Sequence, residues 1–416
     1  MIFDIRDFGA VGDGVTLNTA AIQRAIDACT AAGGGRVLVE NGTYLTGPIR
    51  LRSYVELHLA ANATLLGSPD FDDYHDWEDT EGLEQTHLPR GNGHCLIFAW
   101  NCRHISITGQ GAIDANGAAF VAKAPIERKA GWKTVYPRLN DAALPRVIFI
   151  AGCKKVLLED MTLQNSPSGW GFFLHNCEDV CVDRITIDTD LRYRNNDGLH
   201  INSSRNVRVS DCNIVASDDA IVVRANNYSL RENHVCEGVC VTNCTLVSHC
   251  GGVRLGWLRD GTIRNCVFSN LTMLNTRTGI LMTFPWRGEA RISDEGREKT
   301  RIENILFDNI VMDRIFTHPI RLYMDDHPGT HADIDCIRNI TFRGIRARGL
   351  MWPSLEARPS CQPEHIEFCD CAFSLMEQTA EFGDFTYLPS PPEKTGVRLF
   401  ANLKDARLNN TILEGM

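Results

Sequence analysis

Residues Cys177–Ile187 read CEDVCVDRITI, and Arg205–Ile214 repeat the design as RNVRVSDCNI: a polar lead-in, alternating apolar residues, an Asp, then a second short apolar run. Alternation with a period of two marks a strand with one buried face. Each copy is too short to bury that face alone, so it needs another copy stacked on it. Further copies are NCRHISI (Asn101–Ile107), CKKVLLEDMTL (Cys153–Leu163), CEGVCVTNCTL (Cys236–Leu246) and RDGTIRNCVF (Arg259–Phe268), followed by RIENILFDNI (Arg301–Ile310), IRNITFRGI (Ile337–Ile345) and PEHIEFCDCAF (Pro363–Phe373). Their starts lie 23 to 52 residues apart. Propeller blades need about 40 residues each at even spacing, so uneven spacing favours a coil with insertions. The expectation is an all-β chain, a single-stranded parallel β-helix occupying 1–416 as one domain.

The interrupting residues Asp160, Asp183, Asp211, Asn243, Asn265, Asp308 and Asp370 fit sharp corners between consecutive strands, because Asx side chains bond the backbone and tolerate the left-handed conformation. A solenoid end must be covered, and Thr16–Gly35 supplies an N-terminal capping α-helix within a cap of about 1–35. Asn18 or Thr19 is its N-cap, Ile22, Ala25, Ile26 and Cys29 form its apolar face, and glycines stop it. After about Gly383 the repeat fades into LPSPPEK, predicting an irregular tail over 383–416 with some strand character. Long inserts at Asp70–Gly93, Ala115–Arg146, Phe284–Thr300 and Met324–Asp335 are expected to line the functional face, where Trp132, Trp257 and Trp286 are candidate sugar-stacking platforms.

A net charge of −10 argues against a nucleic-acid partner, and no apolar run approaches membrane-spanning length. Met1 runs into IFDIRDFGAVGDG without a basic and apolar leader, giving an expectation of a cytoplasmic protein. Of 16 cysteines, eleven alternate with Val and Ile inside the repeats, as small core residues of a reducing compartment do. The close pairs Cys177/Cys181 and Cys369/Cys371 have no second pair at zinc-ribbon spacing, so no metal is expected there.

Within Arg194–Arg224, RNNDGLHINSSRNVRVSDCNIVASDDAIVVR, the carboxylate Asp197 precedes Asp218 and Asp219 by about one coil. The three acids would therefore meet on neighbouring rungs. Crowded carboxylates raise the pKa of one member, which a general acid needs at neutral pH.

FDIRDFGAVGDGVTLNTAAIQRAIDAC (Phe3–Cys29), GGGRVLVENGTYLTGPIRLRSYVELHLAANATLLGS (Gly33–Ser68), NSPSGWGFFLHNCEDV (Asn165–Val180), NNDG (Asn195–Gly198) and SDDAIVVR (Ser217–Arg224) resemble glycoside hydrolase family 28, the polygalacturonase family. The likeness runs roughly from Phe3 to Gly256. It implies a right-handed parallel β-helix of the pectate-lyase-like superfamily and inverting hydrolysis of a glycosidic bond without metal or cofactor. It further implies that Asp197 matches the acid of an NTDG motif, Asp218 the general acid and Asp219 the partner that orients water.

Two departures bear on the substrate. Where the family carries GHG, this chain reads SHCGGVRLG (Ser248–Gly256), with Cys250 or Gly251 at the histidine position and His249 beside it. Where the family's RIK motif binds the substrate carboxylate, RTGILMTFPW (Arg277–Trp286) carries Leu281 and Thr283. A buried carboxylate without its cation is costly, so the expected substrate is a glycoside diverged from polygalacturonan. Arg254, Arg224, Arg287 and Arg321 are the candidates for a displaced clamp, with His249 as a further binding residue. The expectation is exo-trimming of imported oligosaccharides. A β-helical uronate lyase or epimerase using His249 and Arg254, and a non-catalytic carbohydrate-binding solenoid, remain open alternatives.

Overall fold

The computed structural model describes residues 1–83, 94–127, 134–140, 144–167, 170–284, 298–325, 333–377, 400–401 and 403–414. Among these residues the chain winds through three parallel sheets of 13, 13 and 11 strands, in which each strand pairs with its counterpart one coil earlier and one coil later. This is the parallel β-helix expected from the repeats. One coil runs Glu178–Asp183 in the first sheet, Thr186–Asp188 in the second and Leu199–Asn202 in the third. The next repeats this with Arg205–Ser210, Asn213–Ala216 and Ile221–Arg224.

The periodic segments form the first two sheets. In the first sheet Val180 stacks on Val156 and Val207, and Val182 on Leu158 and Val209, all buried. Farther along, Phe268, Phe307, Phe342 and Phe368 stack face to face at centroid spacings of 5.0, 5.2 and 4.7 Å, one ring per rung. Burying each such ring stabilises the fold by about 1.5–3 kcal/mol relative to leaving it in water.

On the outside of the first sheet, Lys154, Glu178, Arg205, Glu237, Arg264, Glu303, Arg338 and Glu364 stand in one register column with alternating sign. Ion pairs such as Lys154–Glu178 at 2.7 Å and Arg264–Glu237 at 2.7 Å follow from it. Each exposed pair is worth only a few tenths of a kcal/mol to about 1. A slip of one coil would nevertheless set like charges opposite each other along the whole column.

Asp160, Asp211, Asn243 and Asp370 adopt left-handed φ at the corner between the first two sheets, as expected. Asp183 and Asp308 close the preceding strand instead, and the left-handed residues are Arg184 and Asn309, one position later. Asn265 lies inside the strand Thr262–Ser269, where it belongs to a second left-handed ladder with Asn304 and Asn339, joined by amide hydrogen bonds of 3.1 and 3.0 Å. The corner of that coil is Asn270.

The capping helix spans Thr19–Ala31 and buries Ala21, Ile22, Ala25, Ile26 and Cys29. Asn18 is the N-cap residue, but its amide ties down Val11 and Thr16 rather than the helix N-terminus. All 16 cysteines are free and 11 of them are buried. Of the expected tail, residues 383–399, 402 and 415–416 lie outside the described residues, whereas Ala406–Asn409 and Ile412–Glu414 are regular last rungs of the first two sheets. No described helix is long and apolar enough to cross a membrane.

The third sheet is covered on both faces over its first half. Its outer column runs Arg50, Phe98, Phe149, Phe173, His200, Val222, Arg254, Leu281, Arg321. Phe98, Phe149 and Phe173 form a second apolar core with Leu83 and Leu230, with Trp77, Trp100 and Trp170 packed against it. The insert beginning at Asp70 builds this roof: Trp77 stacks on Phe98, Leu83 bridges to Leu230, and Asp79 pairs with Arg50.

Candidate active site

The second-to-third-sheet corner is where the acids gather. Asn195–Gly198 leads into Leu199–Asn202, Ser217–Ala220 into Ile221–Arg224, and Ser248–Cys250 into Gly251–Leu255. Backbone hydrogen bonds lock the three corners together: Asp218 N donates to Asn196 O at 3.1 Å, Gly198 N to Asp219 O at 2.9 Å, and Ala220 N to Gly251 O at 2.8 Å. Asp197 and Asp219 are almost buried, at 6% and 4% exposed, while Asp218 is half-buried. The rung-on-rung meeting inferred from the spacing is therefore present, with Asp219 rather than Asp218 extending the strand register from Asp197.

Asp218 Oδ2 accepts from Asn195 Nδ2 at 3.0 Å, and its Oδ1 accepts from the Asp219 backbone N–H at 3.0 Å. Asp219 Oδ2 accepts from Arg254 Nη1 at 3.1 Å. Its Oδ1 is buried without a hydrogen-bond partner among the described residues and faces Gly251, where a Cβ would come within 2.6 Å of it. Burial raises the Asp219 pKa above the ordinary carboxyl value; Arg254 opposes this and the neighbouring Asp218 charge adds to it. Asp197 Oδ2 is 3.3 Å from His200 Nδ1.

Arg254, a candidate for the substrate clamp, reaches the acids from the outer column of the third sheet. Its Nη1 holds Asp219, its Nη2 donates to Thr283 Oγ1 at 2.9 Å, and its guanidinium lies 4.2 Å from the Trp257 ring centroid. Arg224 is committed to the fully buried Asp260 through bonds of 2.7 and 2.5 Å and also lies over Trp257, at 5.6 Å. Trp257 thus packs against two guanidinium groups. Arg321 is half-buried, 5.2 Å from the Tyr323 ring, one rung beyond Leu281 in the same column. Trp132, Trp286 and Arg287 lie outside the described residues.

The histidine position resolves in favour of a thiol and a glycine. Asp218, Asp219 and Cys250 bring donor atoms within 4.8 Å of one another, and neither Asp197 nor His249 belongs to that cluster. His249 bears on Asp190, where burial raises the carboxyl pKa and Arg192, with a smaller contribution from His249, pulls it below the ordinary value. Burial, then the Asp219 and Asp218 charges, push the Cys250 thiol well above its ordinary value, so it stays protonated. These three are the described side chains close enough to share a cation, yet a protonated thiol and a carboxylate already bound to Arg254 are a poor donor set for one. Sequence reasoning missed Asn195, which precedes the recognised acid by two positions, and His200, whose outward place on a strand carries no motif.

Stacked coils that present three carboxylates at one corner, beside an outer face roofed over the preceding rungs, define a β-helical protein with a carboxylate cluster at one edge of its third sheet. The chain belongs to family 28 of the glycosyl hydrolases, whose family model matches residues 29–350. A probable polygalacturonase of Vitis vinifera is 30% identical over 285 residues, 66% of this chain and 55% of that protein. An exo-poly-alpha-D-galacturonosidase of Dickeya chrysanthemi is 28% identical over 256 residues, 53% of this chain and 41% of that protein. The chain thus spans about half the length of these curated relatives. In fold it is similar to a hyperthermoactive exopolygalacturonase from Thermotoga maritima, with a TM-score of 0.77 and 22% identity over 100% of this chain and 92% of that one.

Proposed function

We propose that this protein hydrolyses a glycosidic bond with inversion, releasing units from the end of an oligosaccharide whose structure has diverged from polygalacturonan. The stacked corner that brings Asp197, Asp218 and Asp219 together on two rungs carries this reading. Asp218, the most exposed of the three, gives its proton to the leaving oxygen. Asp197 receives the proton of the attacking water, and Asp219 on the adjacent rung helps to orient that water. Inversion asks for about 6.5–9.5 Å between donor and acceptor carboxyls; Asp219, with an oxygen within 4.8 Å of Asp218, is too close for that part, which leaves it to Asp197 on the other rung. Burial, with the neighbouring Asp218 charge adding to it against Arg254, raises the Asp219 pKa above the ordinary carboxyl value, which supports a site where a proton is held more readily than in water.

The roof of Trp77, Leu83 and Leu230 over the rungs before the acids supports exo action, because it closes the outer face on that side of the acids to a continuing polymer. Leu281 and Thr283 at the clamp positions, and the commitment of Arg254 to Asp219, support altered specificity. A uronic substrate is the second reading, favoured by Arg321 one rung past Leu281. Sixteen free cysteines support a reducing compartment, hence imported oligosaccharides.

The test is a panel of neutral and uronic oligosaccharides, with NMR of the first-formed anomer. Inversion is expected, and Asp218→Asn should lose about 10²–10⁴ in kcat with its thermal midpoint little changed. Retained configuration rules out the mechanism, undiminished turnover by Asp218→Asn removes the proposed acid, and products absorbing as unsaturated uronates point to a lyase.

A further inference from the structure

His200 follows Asp197 by three residues and occupies the outer column of the third sheet, on the rung below Val222 and two below Arg254. The residue is 2% exposed, with the Trp170 ring at 4.8 Å and the Phe173 ring at 5.0 Å from its own between centroids. These two rings leave the imidazole little freedom to turn, and Nδ1 is held 3.3 Å from Asp197 Oδ2. An ionised carboxylate can only accept, so this contact places a proton on Nδ1. Five titratable or charged groups bear on the ring: Asp197 from its own corner, and Arg224, His175, Arg146 and Arg254 from neighbouring strands. Burial first, and then those four cationic or basic neighbours, hold the His200 pKa far below the ordinary imidazole value. The ring is therefore a neutral donor throughout the neutral range.

We infer that His200 is a positioning residue for hydrolysis, a neutral imidazole whose Nδ1–H aims the Asp197 carboxylate at the attacking water. The inference rests on the reading of Asp197 as a water-activating acid. Neutrality matters chemically. A guanidinium or ammonium at this point would bind Asp197 more strongly but lower its basicity, and Asp197 must accept a proton as the water attacks. A neutral N–H fixes direction and leaves that basicity in place. Asp219 takes the opposite arrangement, with the cationic Arg254 as its partner. The two water-holding acids are thereby differentiated, one beside a neutral donor and one beside a charged donor.

The experiment compares His200→Leu, His200→Asn and His200→Gln with the unaltered chain, using α-linked oligomers of galacturonate and of galactose as probes. Asn can place its amide N–H near the position of Nδ1, whereas Gln reaches toward Nε2. The expected result is a ten- to hundredfold fall in kcat for His200→Leu with KM within about twofold, as misaimed catalytic groups produce, and recovery of most of that loss by His200→Asn but not His200→Gln. A purely structural ring would give thermal midpoints that differ among the variants while kcat stays level, and that pattern overturns the inference. Asp197→Asn is measured alongside. If it keeps full activity, the reading of Asp197 fails and carries this inference with it; if it is inactive while His200→Leu turns over normally, the inference alone falls. Nitrogen-15 NMR of the unaltered protein, with the His200 resonances assigned by their loss in the variants, tests the same point without kinetics. The expectation is a proton on Nδ1, none on Nε2, and no titration between pH 5 and pH 8. A proton on Nε2 alone, or a titration within that range, refutes it.

Discussion

Replacing Arg254 by leucine removes one member of an ion pair whose partners are 8% and 4% exposed and whose bond measures 3.1 Å. Asp219 would keep one oxygen already lacking a partner among the described residues and lose the donor to the other. Breaking a buried pair from one side costs about 3–5 kcal/mol when the orphaned charge cannot escape. Asp219 can escape by taking up a proton, and its pKa is already raised by burial against the pull of Arg254. Between the unfolded aspartate pKa, about 3.9, and the raised folded value, the native state binds more protons than the unfolded one, so stability falls as pH rises through that window. Arg254→Leu removes the opposing interaction and extends the window upward, each further unit of pKa costing about 1.4 kcal/mol at high pH. The loss should approach the full ~3–5 kcal/mol at pH 8 and shrink by more than half at pH 5. Urea unfolding followed by tryptophan fluorescence at pH 5, 6.5 and 8, at one ionic strength, measures it. An equal loss at pH 5 and pH 8 would refute the reasoning, since the penalty would then come from lost packing on Trp257. Adding Asp219→Asn to the variant should remove the pH dependence.

Gly251→Ala places a Cβ about 2.6 Å from Asp219 Oδ1 and 3.3 Å from Leu281, so the carboxylate must turn. Activity is expected to drop at least tenfold with a small change in thermal midpoint, and an alanine variant with full kcat would show that the observed Asp219 orientation is dispensable. Glu237→Lys sets three cations in a row between Arg205 and Arg264. The midpoint of unfolding should fall by the equivalent of about 0.5–1 kcal/mol at low salt and recover in 1 M salt; a salt-independent loss would assign the effect to packing.

The first two sheets were legible because only one face of each strand is buried, leaving alternation in segments such as Glu178–Asp183 and Arg205–Ser210. The third sheet was not. Arg146–Ala151, Phe172–His175 and Leu199–Asn202 are buried at every position, because the Asp70 insert, Trp170 and Leu230 cover the face that would otherwise be polar. A strand buried on both faces has no period to read. Asn265 was misplaced for a related reason: Asn fits either left-handed ladder, and the sequence does not say which.

The sequence by itself determined the coil, through a two-residue period in short segments repeated at uneven intervals, and it marked Asp197, Asp218 and Asp219 as acids one coil apart. Only the tertiary structure decided what surrounds them. Arg254 stood out in the sequence as a cation near the acids, and the folded coil adds its bonds to Asp219 and Thr283. His200 and His249 precede and follow the Asp218–Asp219 pair in sequence, and only the folded coil shows that the His200 side chain reaches Asp197. Side-chain direction and rung-to-rung contact are properties of neighbouring coils, so no single stretch of sequence contains them.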